Sequence, residues 1–215
     1  WFLILTGFGV EIGLRTAVKV HISSVLPKYL PGYVWQFVGK AYLSREAGVP
    51  HQPVILGMGL EMVLMISAGI FVAAAALPFT PFASQLYPPF AQFAPLVTLA
   101  GLVYLLILPS IVELPLRRFR KRSSASGVDS YGFRAYLHTL VTQAIIAIAW
   151  VFLGIGVFLI AHSFQEVSLQ VLPSFVFSFT ISMLGGLVVF FAPMGLGIRE
   201  GLLTIMLVLV VPAHV

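Results

Sequence analysis

Long apolar runs alternate with short Pro/Gly-rich or charged breaks along this chain. Four of the runs, Val54 to Leu77, Pro95 to Val112, Arg134 to Ala161 and Val171 to Ala192, come close to or exceed the roughly 20 residues that a helix needs to cross a hydrocarbon core. The two ends read differently. Residues 1 to 53 mix apolar stretches with Glu11, Arg15, Lys19, His21 and Lys28, which is too polar for a simple lipid-facing helix. After Ala192 the chain breaks at Pro193-Met-Gly-Leu-Gly197 and carries Arg199 and Glu200 into the apolar run Gly201 to Val211. That run is a truncated span or a re-entrant half-helix. The pattern therefore predicts an all-α, polytopic membrane fold of about four full spans, with broken or re-entrant helical segments at both ends.

Composition sets the solvent. The chain has 215 residues, of which 60% are hydrophobic and 9% charged, against about 25% charged in an ordinary soluble domain. Its mean hydropathy is +1.04. A water-soluble globule of this size leaves roughly a third of its unfolded surface exposed, so this apolar content calls for lipid. Residue 1 is Trp and the C-terminal residues are still apolar, as expected of a piece cut from a larger membrane domain at both ends. The N-terminal stretch lacks the basic n-region and small-residue cleavage site of a signal peptide. Residues 1–215 thus read as a single integral membrane domain.

The formal charge of +5 would suggest nucleic acid in a soluble protein. Here Arg117, Arg118, Arg120, Lys121, Arg122 and Arg134 crowd around one connection, which is a topology signal and no sign of a nucleic-acid partner. It makes 114–133 a basic cytoplasmic loop of a multi-pass protein of the cell (inner) membrane. By alternation, Pro78 to Ala94 and His162 to Ser168 face outside. Lys28, Lys40, Arg45 and Arg199 then fall on the inner side. The Pro- and aromatic-rich outer segment 78–93 reads as an interfacial belt. The pairs Gly57-x-Gly59, Gly154-x-Gly156 and Gly185-Gly186 read as sites of close helix packing.

Candidate chemistry gathers at two backbone breaks. Leu26-Pro-Lys-Tyr-Leu-Pro-Gly32 closes one helical stretch and precedes another, and Ala192-Pro-Met-Gly-Leu-Gly-Ile-Arg-Glu-Gly201 does the same before the last helix. Unpaired N–H groups and the dipole at a helix start attract an anion, and broken helices of this kind form midplane sites in transporters. The bland reading is two interfacial turns. Glu61 lies inside the first full span, where a carboxylate costs a few kcal/mol unless paired or hydrated. Lys40, Arg45 and Arg199 are its candidate partners. A cavity holding Lys28, Lys40 and Arg199 with Glu61 and Glu200 would suit an anionic or zwitterionic headgroup, whereas the alternative is a structural set of ion pairs near the inner interface.

Classical catalytic sets are missing. There are no cysteines and five histidines, and His21, His51, His138, His162 and His214 show no metal-ligand spacing. They read as interfacial or helix-packing residues. No cofactor, metal site or P-loop is expected.

Two motifs carry a family resemblance: Lys28-Tyr-Leu-Pro-Gly-Tyr-Val-Trp-Gln-Phe-Val-Gly-Lys40, followed by Gly48-Val-Pro50, and the distal Ala192-to-Gly201 segment. In this order, with four spans between them, they resemble the membrane region of lysylphosphatidylglycerol synthase and its flippase-like relatives. Met194 stands where relatives often have Gly, and Lys40 where they often have Arg. The resemblance implies an inner-membrane protein that moves or handles a lipid, either a phospholipid or a polyprenyl-linked lipid, and it is compatible with an oligomer. The aminoacyl-transferase domain of the two-part synthases is absent from this sequence. The resulting substrate-binding set is Lys28, Tyr29, Pro31, Gly32, Gln36, Lys40, Glu61, Pro193, Gly195, Gly197, Arg199 and Glu200, with no catalytic residue among them. The membrane portion of a lipid-modifying transferase and a non-transporting envelope scaffold remain the alternatives.

Overall fold

A computed structural model describes residues 1–26, 34–81, 93–122, 131–188 and 195–211, apart from the side chains of residues 94, 95, 112–120, 121–122, 131–135 and 188. Every regular element among them is helical. In chain order these are α1 (Phe2–Gly7), α2 (Leu14–Val25), α3 (Trp35–Glu46), α4 (His51–Ala76), a 3-10 turn at Leu77–Phe79, α5 (Ala94–Arg122), α6 (Tyr131–Phe164), a second 3-10 turn at Leu169–Val171, α7 (Leu172–Val188) and α8 (Ile198–Val208).

Three segments are long and apolar enough to cross a membrane: His51–Phe79, Tyr136–Phe164 and Leu169–Leu187. They correspond to the first, third and fourth runs read from the sequence. The second expected span lies within α5, where the apolar stretch is the shorter Leu96–Ile111. At 1.5 Å per residue it reaches about 24 Å, short of a hydrocarbon core about 30 Å thick. The helix itself continues to Arg122. Thus the basic cluster from Arg117 to Arg122 is helical, while residues 123–130 of the expected loop lie outside the described residues. Arg and Lys propagate a helix well and complement its C-terminal dipole.

The distribution of side chains is that of a protein in lipid. Along α6, Ile145, Ile148, Phe152 and Leu159 are exposed, spaced to share one helical face. The inward positions include Thr139, Thr142 and Gln143, and on α7 Ser174, Ser178 and Ser182 are fully buried. Small and polar residues inside, large apolar residues outside, is how helices associate when the solvent is hydrocarbon.

The chain divides into two compact units. One comprises Trp1–Met65 with Tyr104–Ala144, and the other Ile66–Val103 with Ile145–Val215. In the first, Leu5, Val49, Val54 and Met58 form a core against which Trp1, Val10, Ile12, Phe37 and Ala41 pack. The α2 and α3 helices pack on each other. The connection from α3 to α4 is tied by the Val49 N–H donating to Ser44 O at 3.0 Å, and Tyr136 Oη donates to Leu106 O at 3.2 Å, joining α6 to α5.

In the second unit, Phe158, Val167, Phe175 and Val210 form the core, with the Phe158 and Phe175 rings edge to face at 5.4 Å. The three glycine pairs contribute unequally to packing, each within its own unit. A β-carbon on Gly57 would lie 3.1 Å from the Trp1 ring, one on Gly154 2.6 Å from Val176 Cα, and one on Gly185 2.5 Å from Leu202, whereas Gly59 and Gly156 face nothing within 4 Å. Only hydrogen at position 154 lets the backbones of α6 and α7 come this close. The His162 ring, stacked on Phe158 at 5.8 Å, receives the Val167 N–H on Nδ1 at 3.2 Å and so ties the turn between these helices.

Candidate functional site: a buried ion pair on four helical elements

The first unit brings one chemically distinctive side chain from each of four consecutive elements to one place. Lys40 on α3 is 7% exposed, and its Nζ donates to Glu61 Oε2 of α4 at 2.5 Å. The other carboxylate oxygen, Glu61 Oε1, lies 3.5 Å from Nδ1 of His21 on α2. Trp1, the N-cap of α1, sets its ring over the ammonium at 4.2 Å from the ring centroid, a distance at which the negative face of indole attracts a cation.

Each contact follows from local structure. Glu61 comes ten residues after His51, the first residue of α4, hence about 15 Å along that helix. It therefore sits well inside a membrane-length segment, where an unpaired carboxylate is costly. On α3, Gln36, Lys40 and Ser44 follow at i, i+4 and i+8 and share one face. Gln36 is half-buried and Ser44 buried. Burial pushes the Lys40 ammonium below the usual lysine range, against which Glu61 acts as charge and as hydrogen-bond acceptor. His21 is also pushed down, first by burial and then by the Lys40 charge, with Glu61 opposing. Trp1 Nε1 and His21 Nδ1 beside the pair, and Ser44 Oγ one turn along α3 from Lys40, are buried without a hydrogen bond. For His21 this agrees with the 3.5 Å separation from Glu61, which is ion-pair reach without hydrogen-bond geometry.

The second group of expected residues lies in the other unit. Gly197 is the N-cap of α8 with φ 88°, and its N–H donates to Glu200 Oε2 at 2.7 Å. Glu200 Oε1 accepts from Arg199 Nη2 at 2.7 Å and from Arg199 Nε at 3.0 Å. Arg199 Nη1 also reaches Met183 Sδ at 3.8 Å. Gly195, with φ +66°, turns the chain against Gly186, and a β-carbon there would stand 2.6 Å from the Gly186 backbone. Backbone donation within residue 200, the Arg199 guanidinium and the Gly197 N–H together hold the Glu200 carboxyl below the usual range. The start of α8 thus carries the negative charge expected there, but this chain's own glutamate supplies it. Gly197-Ile-Arg-Glu200 has the N-cap-to-N3 glutamate spacing from which this arrangement could have been read.

Of the expected binding residues, Gln36, Lys40 and Glu61 belong to the first unit, and Gly195, Gly197, Arg199 and Glu200 to the second. Lys28, Tyr29, Pro31, Gly32 and Pro193 lie outside the described residues. Arg45, a candidate partner for Glu61 by sequence, is exposed at the end of α3. Trp1 and Ser44 carry no signal of this role in the sequence, where His21 reads as an interfacial or packing residue. The one pointer to them is that a carboxylate at the depth of Glu61 requires partners.

Comparison with known proteins adds no relative: no protein-family model, no curated protein and no solved structure matches this chain.

Proposed function

We propose that the chain is a lipid-handling membrane domain which binds the headgroup of a phospholipid or lipid-linked sugar and carries it across the bilayer, as the membrane part of lysylphosphatidylglycerol synthase is thought to do. The observation that carries this reading is the buried Lys40–Glu61 pair, about 15 Å along a membrane-length helix. Ionisable groups at such depth mark substrate or ion paths by default. A lysine with an indole over it and unused polar groups nearby suits a phosphate.

In this reading α5 supplies a fourth crossing, with its basic end extending the apolar segment to the interface. The connection between α5 and α6 lies in the cytoplasm, so the His51 end of α4 is cytoplasmic too. The chain then resides in the cell membrane. The sequence support for this reading is the resemblance of the segments around Lys40 and Arg199 to motifs of that family. Glu200 and Arg199 act mainly on each other, so the binding role centres on Lys40, with Gln36 and Ser44 on the same face.

Reconstitution into vesicles with a panel of headgroup-labelled lipids tests the proposal. Protein-dependent movement of at least one phosphate-bearing lipid between leaflets is expected. Movement of none, with folded protein in the membrane, rejects it in favour of a scaffold or the membrane part of a transferase.

A further inference from the structure

Glu61 faces two basic groups at once: one oxygen is taken by Lys40, and the other stands 3.5 Å from His21 Nδ1. The charged or titratable side chains facing His21 are Glu61 from α4 and Lys40 from α3. With His21 neutral, the carboxylate and ammonium cancel and Lys40 is committed to Glu61. An anion approaching Lys40 would then meet an uncompensated carboxylate beside it. With His21 protonated, the imidazolium holds the Glu61 charge through the oxygen already turned towards it, and Lys40 can face an anion. The local charge therefore changes by one proton for each monoanion accommodated, which keeps an apolar region from accumulating charge.

We infer that this cluster is a proton-linked site for a phosphodiester monoanion supplied by an anionic phospholipid, with His21 as the proton carrier and Lys40 as the anion's counter-charge. The inference rests on the lipid-handling reading and deepens it by naming the co-ion and the charge of the lipid. It has independent support in Ser44 Oγ and Trp1 Nε1, two buried polar atoms without hydrogen bonds. Ser44 lies one turn from Lys40 on the same face of α3, and the Trp1 ring lies against the Lys40 ammonium. Both can donate to an anion's oxygens. An isolated ammonium bound only to a carboxylate gives no use for these donors.

Linkage fixes the sign. Burial and Lys40 depress the His21 pKa, and an anion beside it raises the pKa. Affinity for the anion must then increase on acidification, by up to about tenfold per pH unit between those two pKa values, and the anion must draw protons onto the protein by the same coupling.

The test is proton uptake by the full chain in weakly buffered detergent at about pH 7, where an imidazole responds to small perturbations, on addition of dihexanoylphosphatidylglycerol. Parallel titrations use dihexanoylphosphatidylcholine and dimethyl phosphate, a lipid-free phosphodiester monoanion that does not titrate near pH 7, with binding followed by tryptophan fluorescence. Uptake approaching about one proton per bound phosphatidylglycerol, its loss in His21→Asn, and no uptake with the other two probes are expected. Phosphatidylglycerol binding without uptake overturns the inference and leaves lipid handling standing. Uptake retained in His21→Asn overturns the role of His21, and uptake with dimethyl phosphate alone overturns the lipid source. No binding of either lipid, together with no movement of any lipid in vesicles, removes the underlying reading as well. The wild-type titration decides the coupling even if His21→Asn fails to fold.

Discussion

Lys40 and Glu61, twenty-one positions apart in sequence, meet at 2.5 Å with the lysine side chain 9% and the glutamate side chain 24% exposed. A pair with this little access to water is held by mutual compensation. Removing one partner leaves the other desolvated and unpaired, and removing both charges leaves no uncompensated charge.

The first prediction follows from that asymmetry. Lys40→Met or Glu61→Gln alone should lower stability by about 3 kcal/mol, whereas the double variant should recover more than half of the loss. Denaturant titration of the four proteins in one detergent measures the cycle. Additive losses would mean that the two groups do not depend on each other.

A second prediction concerns the α6–α7 crossing. Gly154→Ala places a methyl group against the Val176 backbone, 2.6 Å from its Cα, and should destabilise by about 1–3 kcal/mol because backbone must shift. Gly156→Ala, two residues on and facing nothing within 4 Å, should be neutral or slightly stabilising. The thermal midpoints of the two variants, measured side by side, separate packing from helix propensity.

The third prediction is a pH dependence at α8. The Glu200 carboxyl is held below its usual range, so the folded pKa is lower than the unfolded one. Its contribution is present above the ordinary carboxylate pKa of about 4.3 and is lost as pH falls through the folded value. Corrected for intrinsic exchange, amide protection in the first turn of α8 should therefore persist through the ordinary carboxylate range and fail only in stronger acid. In Glu200→Ala that protection should be lower throughout.

Much of the fold was legible in the sequence because hydropathy reports directly on the solvent of α4, α6 and α7. The extent of α5 was less legible. Its apolar run fades near Ile111, yet the helix continues through Pro115 and the arginines to Arg122, since hydropathy marks where lipid ends and not where hydrogen bonding ends. Pro109, fully buried within this helix, is tolerated as prolines are in membrane helices.

For the site, Glu61 was visible as an intramembrane acid that needs a partner, and Lys40 was one of three candidates. Choosing among them depends on how α2, α3 and α4 pack, which no local pattern encodes. His21 and Trp1 were invisible for the same reason. At Glu200 the clue is local: a glutamate three residues after the Gly197 N-cap marks a helix start whose first N–H groups its own carboxylate can meet.

The most direct measurement is the movement of headgroup-labelled phosphatidylglycerol in sealed proteoliposomes, read by a membrane-impermeant quencher, for the wild-type chain and Lys40→Met. The account predicts that wild-type protein exposes label from the inner leaflet, and that loss of the charged contact to the phosphate slows this about tenfold or more. Quenching confined to the outer-leaflet pool with the wild-type protein, or equal rates for the two proteins, would contradict it.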